Sequence, residues 1–302
     1  MSNKEKATVI GQKKKRSVFM EWVNTILWAG SIAIIFRSFL LEPFNIPSGS
    51  MIPTLQVGDH LFVTKWNFGY SRYSFPFGSW HLWDGRFFQM RKPKQGDIIV
   101  FRKPNDYVEY VKRLIGMPGD IIQMTAGRLY INGKLVRREN PKRYLIANIS
   151  REYRSGYKYQ DLLIKGNKIY NANGKPVDFN YTIEYKSPSL CRQMPSECIV
   201  NDGIEYTEIL PDGVKHQIVE LSDYELYDNT GVYKVPENHY FMMGDDRDRS
   251  ADSRTSMLGN VPYDNFMGCV WFIFYSHNYH SPMLAFWNWG KKMRWDRFGL
   301  RP

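Results

Sequence analysis

Ser50 stands in the run Pro47-Ser48-Gly49-Ser50-Met51-Ile52-Pro53, where Gly49 permits a sharp turn and two prolines stiffen the flanks. Such a setting can hold one hydroxyl in a fixed place. A serine hydroxyl becomes a nucleophile when a base takes its proton. None of the six histidines lies within this run, and the nearest to Ser50, His60, follows Gly58-Asp59 and reads as a turn residue. The alternative base is Lys112, in Tyr110-Val111-Lys112-Arg113-Leu114. Strand alternation puts Lys112 on one side with Val108, Tyr110 and Leu114, and sends Arg113 to the other side, toward solvent. Taken singly, Ser50 reads as a loop serine and Lys112 as an edge-strand charge that discourages aggregation.

Lysine can serve as a base only when neutral, and at a pKa of about 10.4 less than roughly 0.1% is neutral at pH 7. Burial among apolar side chains disfavours the charged form. A lowering of about two units costs on the order of 2.7 kcal/mol and makes the amine useful. A third segment, Met242-Met243-Gly244-Asp245-Asp246-Arg247-Asp248-Arg249-Ser250-Ala251-Asp252-Ser253-Arg254, alternates in charge. By itself it reads as a solvated loop, although Asp and Arg two residues apart can lock a loop through paired contacts.

These segments need elements to place them. Residues 1–18 are basic, with Lys13, Lys14, Lys15 and Arg16 clustered, and residues 19–41 form an apolar stretch. Its core, Ile26 to Phe36, is short, but the apolar pattern resumes at Phe39–Leu41 and Arg37 can reach the headgroups, so it reads as a membrane anchor. The basic cluster keeps the N-terminus in the cytoplasm. The competing reading is a signal peptide cleaved near Ala29-Gly30-Ser31, but the apolar run continues through that point. Downstream, Gly96–Arg102 and Tyr107–Ile115 read as paired strands, and Leu129–Val136 as a hairpin turning at Asn132-Gly133. Residues 137–236 are polar and Tyr-rich, a β-rich insertion between the catalytic stretches 42–136 and 237–302.

A net charge of +11 suits either nucleic acid or anionic lipid. No nucleic-acid-binding signature accompanies it, so a lipid bilayer is the expected partner and nucleic acid is not. No CxxC pair exists among the three cysteines, which argues against zinc, and no cofactor is expected. Cys191 and Cys198 are either disulfide-bonded or two inert thiols, and Cys269 reads as a buried strand residue.

Together these segments, with Glu42-Pro43-Phe44, Gly96-Asp97-Ile98-Ile99-Val100-Phe101 and Arg294-Trp295-Asp296-Arg297, resemble bacterial type I signal peptidase in order and spacing. The resemblance covers both ends of the chain; the insertion matches only as a variable region. It implies a mainly β catalytic domain preceded by one transmembrane helix, in the bacterial cytoplasmic membrane with the catalytic part outside. It implies a monomeric serine endopeptidase acting on preprotein signal peptides. Ser50 would be the nucleophile, Lys112 the general base, and the Ser48 hydroxyl with the Ser50 N–H the oxyanion hole. Ser250 would orient Lys112, and Asp252 and Arg254 would form a supporting ion pair. Phe44, Ile46, Pro47, Met51, Leu55, Tyr110 and Val111 would line pockets for small residues, giving an Ala-x-Ala preference. Asp246 and Arg249 depart from the family, which commonly has asparagine at both positions. Trp287 and Trp289 would rest on the membrane interface or pack against the domain. Two other readings compete: a membrane-tethered chain-binding protein without activity, and a self-cleaving repressor, which would need a DNA-binding helix pair where the anchor stands.

Overall fold

Helix α1, Val18–Phe39, is apolar all round and leaves its large side chains exposed, from Phe19 and Trp22 to Ile35 and Phe36. Its 22 residues span about 33 Å, enough to cross a hydrocarbon layer of about 30 Å. The computed structural model describes residues 18–75, 83–104, 106–149, 163–165, 168–170, 181–185, 198–277 and 293–302. The pairing of Cys191 with Cys198 and the placement of Trp287 and Trp289 lie outside the described residues.

The anchor stops at Phe39 rather than residue 41, because Leu41 already belongs to strand β1 (Leu41–Asn45). Arg37, in the last turn of the helix, donates from its Nε and Nη2 to the Glu42 carboxylate at 2.9 and 2.7 Å. The other Glu42 oxygen lies 2.9 Å from the buried Lys65 amine. The Tyr70 hydroxyl donates to the Phe39 carbonyl at 2.6 Å, so the helix end is bonded directly to the domain.

The remaining strands, in chain order, are β2 (Asp59–Thr64), β3 (Ile98–Arg102), β4 (Glu109–Gly116), β5 (Ile121–Thr125), β6 (Arg128–Ile131), β7 (Lys134–Leu135), β8 (Arg137–Ile149), β9 (Leu163–Lys165) and β10 (Lys168–Tyr170). They continue with β11 (Tyr181–Tyr185), β12 (Cys198–Ile209), β13 (Lys215–Glu220), β14 (Tyr233–Lys234), β15 (His239–Met243), β16 (Val261–Pro262) and β17 (Phe266–Ser276). Seven of them form the main sheet, in the order β1-β2-β17-β3-β4-β15-β16. A second sheet, β14-β5-β6-β7, contains the expected hairpin, with Asn132 and Gly133 both at positive φ (53° and 74°), the signature of a type I′ turn. Strands β11-β8-β12-β13 make a third sheet from the insertion. His60, expected in a turn, instead lies near the start of β2 and pairs with Asn45 and Tyr275.

The main sheet is covered on both faces, which is why β3 is a continuous apolar run rather than an alternating one. Ile98 and Val100 pack with Leu61, Val63 and Ile273 on one face. Ile99 and Phe101 pack with Leu114, Met242 and Phe266 on the other.

Candidate active site

Ser50 sits on a turn held down by its apolar neighbours. Ile46, Met51 and Leu55 are buried in the core beneath it, and the Ile46 N–H donates to the Asp59 carbonyl at 2.8 Å. Leu55 is fully buried in that core, so it supports the turn from below and does not line the cleft. A Cβ at Gly49 would lie 2.7 Å from Ile52 Cδ1, so that side chain would have to shift to admit one.

Lys112 lies in β4, paired with Ile99 of β3. Only 3% of it is exposed, and its Nζ is hydrogen-bonded to Ser50 Oγ at 2.5 Å. Burial is the dominant influence on the amine and lowers its pKa to about 8. The carboxylates of Asp252, Asp245 and Asp246 oppose that lowering, and Arg254 adds to it. Ser48 Oγ lies 3.5 Å from Ser50 Oγ, so the two hydroxyls stand side by side.

Arg113 departs from its expected solvent position. It is 4% exposed and its Nε and Nη2 donate to Asp245 at 2.8 and 2.7 Å, while its Nη1 donates to the Gly96 carbonyl. Alternation does turn it to the face opposite Lys112, but that face is covered too. Asp245 also accepts from Thr54 Oγ1 at 2.5 Å.

The charged segment Gly244–Arg254 is not a solvated loop. Asp245, Asp246, Arg247, Asp252, Ser253 and Arg254 are all buried, because each charge finds an opposite charge. Asp252 accepts from Arg254 Nε and Nη2, both at 2.9 Å, and from the Gly244 N–H at 3.0 Å. Burial pushes the Asp252 carboxyl up, but Arg254 and the Gly244 N–H more than offset it and hold the group below its ordinary value. Asp246 and Arg249 form an ion pair with each other at 2.6 Å, so their charges compensate. The Asp246 N–H donates to the Ser50 carbonyl at 3.2 Å. Ser250 Oγ is buried and has no hydrogen-bond partner among the described residues; it packs against Gly244, where a Cβ would come within 2.2 Å of it. Ser253, which carries no distinguishing sequence signal, closes the loop: its N–H donates to the Met242 carbonyl and its Oγ accepts from the Met242 N–H, both at 2.9 Å.

A cleft of about 550 Å³ opens above Ser50 and Lys112. Phe44, Ile46, Pro47, Met51, Tyr110 and Val111 line it as expected, together with Ser48. Val100, Val108, Glu109, Arg249 and Ala251 also line it; Val108 carries a sequence signal by alternation with Lys112, whereas nothing in the sequence marks Glu109 or Ala251 as cleft residues. No histidine among the described residues lines it.

The fold and site thus define a β-rich protein with an apolar helix at its N-terminal side and an open apolar cleft. At the floor of that cleft a buried amine meets a serine hydroxyl. The family model described as signal peptidase, peptidase S26, matches residues 19–275. The chain is 36% identical over 253 residues to signal peptidase I of Rickettsia typhi, covering 81% of this chain and 76% of that protein. It is 37% identical over 247 residues to signal peptidase I of Rickettsia prowazekii, with the same two coverages. A solved signal peptidase I from Enterococcus faecalis is 23% identical, covering 60% of this chain and 98% of that one, with a TM-score of 0.27. The chain belongs to the signal peptidase family, the S26 peptidases.

Proposed function

We propose that this chain is a membrane-bound serine endopeptidase that removes N-terminal signal peptides from exported preproteins through a Ser50–Lys112 dyad. The observation that carries the proposal is the buried Lys112 amine, bonded to Ser50 Oγ and held near a pKa of about 8. Neutral Lys112 accepts the Ser50 proton, and Ser50 Oγ attacks the scissile carbonyl. The Ser48 hydroxyl and the Ser50 N–H stabilise the oxyanion, a contribution of about 3 kcal/mol for each well-placed donor. The proton passes from Lys112 to the leaving amine, and Lys112 then activates water to hydrolyse the acyl-enzyme.

Ser250, expected to orient Lys112, makes no hydrogen bond to it here, while Asp252 and Arg254 keep the surrounding loop in place. The small-residue preference, Ala-x-Ala before the cut, comes from Phe44, Ile46, Pro47, Met51, Tyr110 and Val111. The anchor puts the N-terminus in the cytoplasm and the site on the outer side of the bacterial cytoplasmic membrane, in a monomer. Ser50 follows the end of α1 by only about eleven residues, which keeps the cleft close to the bilayer.

The test is cleavage of a preprotein by the purified full chain, beside Ser50→Ala and Lys112→Ala. Both variants are expected to be inactive. Full activity in either would remove that residue from the dyad, and an inactive unmodified protein would favour a chain-binding role.

A further inference from the structure

The main chain of Gly244–Arg254 needs hydrogen-bond partners, because a buried N–H or C=O left alone is costly. It finds them in the insertion. The Val219 N–H of β13 donates to the Asp245 carbonyl at 2.8 Å, and the Arg247 N–H donates back to the Val219 carbonyl at 3.0 Å. This is a parallel bridge alongside Asp246. The Leu221 and Ser222 N–H groups both donate to the Asp248 carboxylate, at 2.6 and 3.2 Å.

One side-chain contact fixes the loop from the same direction. Glu208, on β12, is fully buried and accepts from both terminal nitrogens of Arg247, itself 1% exposed; the Nη1 bond is 2.9 Å. Burial pushes the Glu208 carboxyl up, but Arg247 and His216 more than offset it and hold the group well below its ordinary range. The contacts continue inward. The Arg247 carbonyl accepts from Arg254 Nη2, Arg254 holds Asp252, and Asp252 receives the Gly244 N–H. Gly244 has no spare room: a Cβ there would lie 2.4 Å from the Ser50 carbonyl. A buried ion pair is weak evidence for stability but can specify one conformation.

We infer that the β12–β13 hairpin positions the catalytic loop, and that Glu208 is a positioning residue acting on the Ser50 site through Arg247. The inference rests on the Ser50–Lys112 reading, and gives the insertion a role in the reaction.

Two measurements on the full chain test it. In preprotein cleavage, Glu208→Gln is expected to lower kcat by about 30-fold, within the range a misplaced catalytic group costs, with KM within about twofold. Glu208→Asp should recover part of the loss. Glu220→Gln is the control: it breaks the Arg138–Glu220 pair in the same sheet and leaves the Glu208 carboxylate, with its contacts to Arg247 and Arg138, in place. Wild-type kcat in Glu208→Gln, or equal losses in Glu208→Gln and Glu220→Gln in step with their falls in melting temperature, would overturn the inference. Hydrogen exchange on the unmodified protein needs no variant. The Val219 and Arg247 amides should open together; Arg247 exchanging much faster than Val219 would also overturn it. Joint opening in a protein that cleaves nothing would sink the dyad reading instead and leave the clamp standing.

Discussion

The Asp246 N–H donates to the Ser50 carbonyl, across 196 positions of sequence, so the charged loop touches the backbone of the proposed nucleophile. The loop therefore sets where Ser50 stands as well as what surrounds Lys112. Gly244 is the tightest point of that contact. Gly244→Ala should push the Ser50 carbonyl or Ser250 aside and lower kcat by about 100-fold, the scale of a 1 Å misplacement. Steady-state kinetics beside a melting curve will check this; wild-type kcat would mean the loop yields without cost.

The Lys112 amine has its pKa lowered by burial at the expense of stability. Its folded pKa of about 8 lies below its ordinary 10.5, so between those values the unfolded chain binds more protons and stability rises with pH. The penalty is fully present below about pH 8 and lifted above about pH 10.5, and at pH 7 it is on the order of 3 kcal/mol. Lys112→Met should therefore abolish cleavage yet stabilise the protein at pH 7 by on the order of 2–3 kcal/mol. Denaturant unfolding at pH 7 and pH 10 measures it, and the gain should shrink at the higher pH.

Arg113 and Asp245 form a pair that is buried on both sides. Removing one partner strands the other charge, a cost of about 3–5 kcal/mol. Asp245→Ala and Arg113→Met should each destabilise by about that amount. Their double variant should lose less than the sum, which a double-mutant cycle reads directly. Additive losses would mean the pair is not coupled.

Much of this is legible in the sequence, and the failures share a cause. The anchor, the β3–β4 pair and the Asn132-Gly133 hairpin are visible from local pattern, whereas the cleft residues on β1 and β4 are expected only from the family resemblance. The burial of Arg113 is not, because alternation gives a side chain's face and not what covers that face. The burial of Asp245 through Arg254 is hidden for the same reason. Hydropathy marks such a run as solvated; its neutralisation combines pairs within the loop, Asp246–Arg249 and Asp252–Arg254, with partners far away in sequence, Arg113 and Glu208. The family resemblance implies a cleft position for Leu55, whereas the turn directs it into the core.

Cys269 is buried in β17, and burial pushes its thiol up to about 12. The reactive form is the thiolate. Cys269 should resist alkylation at pH 8 in the folded protein and react after unfolding, as peptide mapping by mass spectrometry will show. Rapid modification in the native state would contradict the buried placement.

The most direct test of the Ser50–Lys112 pair is the pH dependence of Ser50 acylation by a leader-peptide substrate. The active amine is the neutral one, so the rate should rise with pH through a single limb near 8 and then level off. Lys112→Arg, charged at every accessible pH, should show no acylation. A limb near pH 6.5, or acylation that persists in Lys112→Arg, would contradict the assignment of Lys112 as the base.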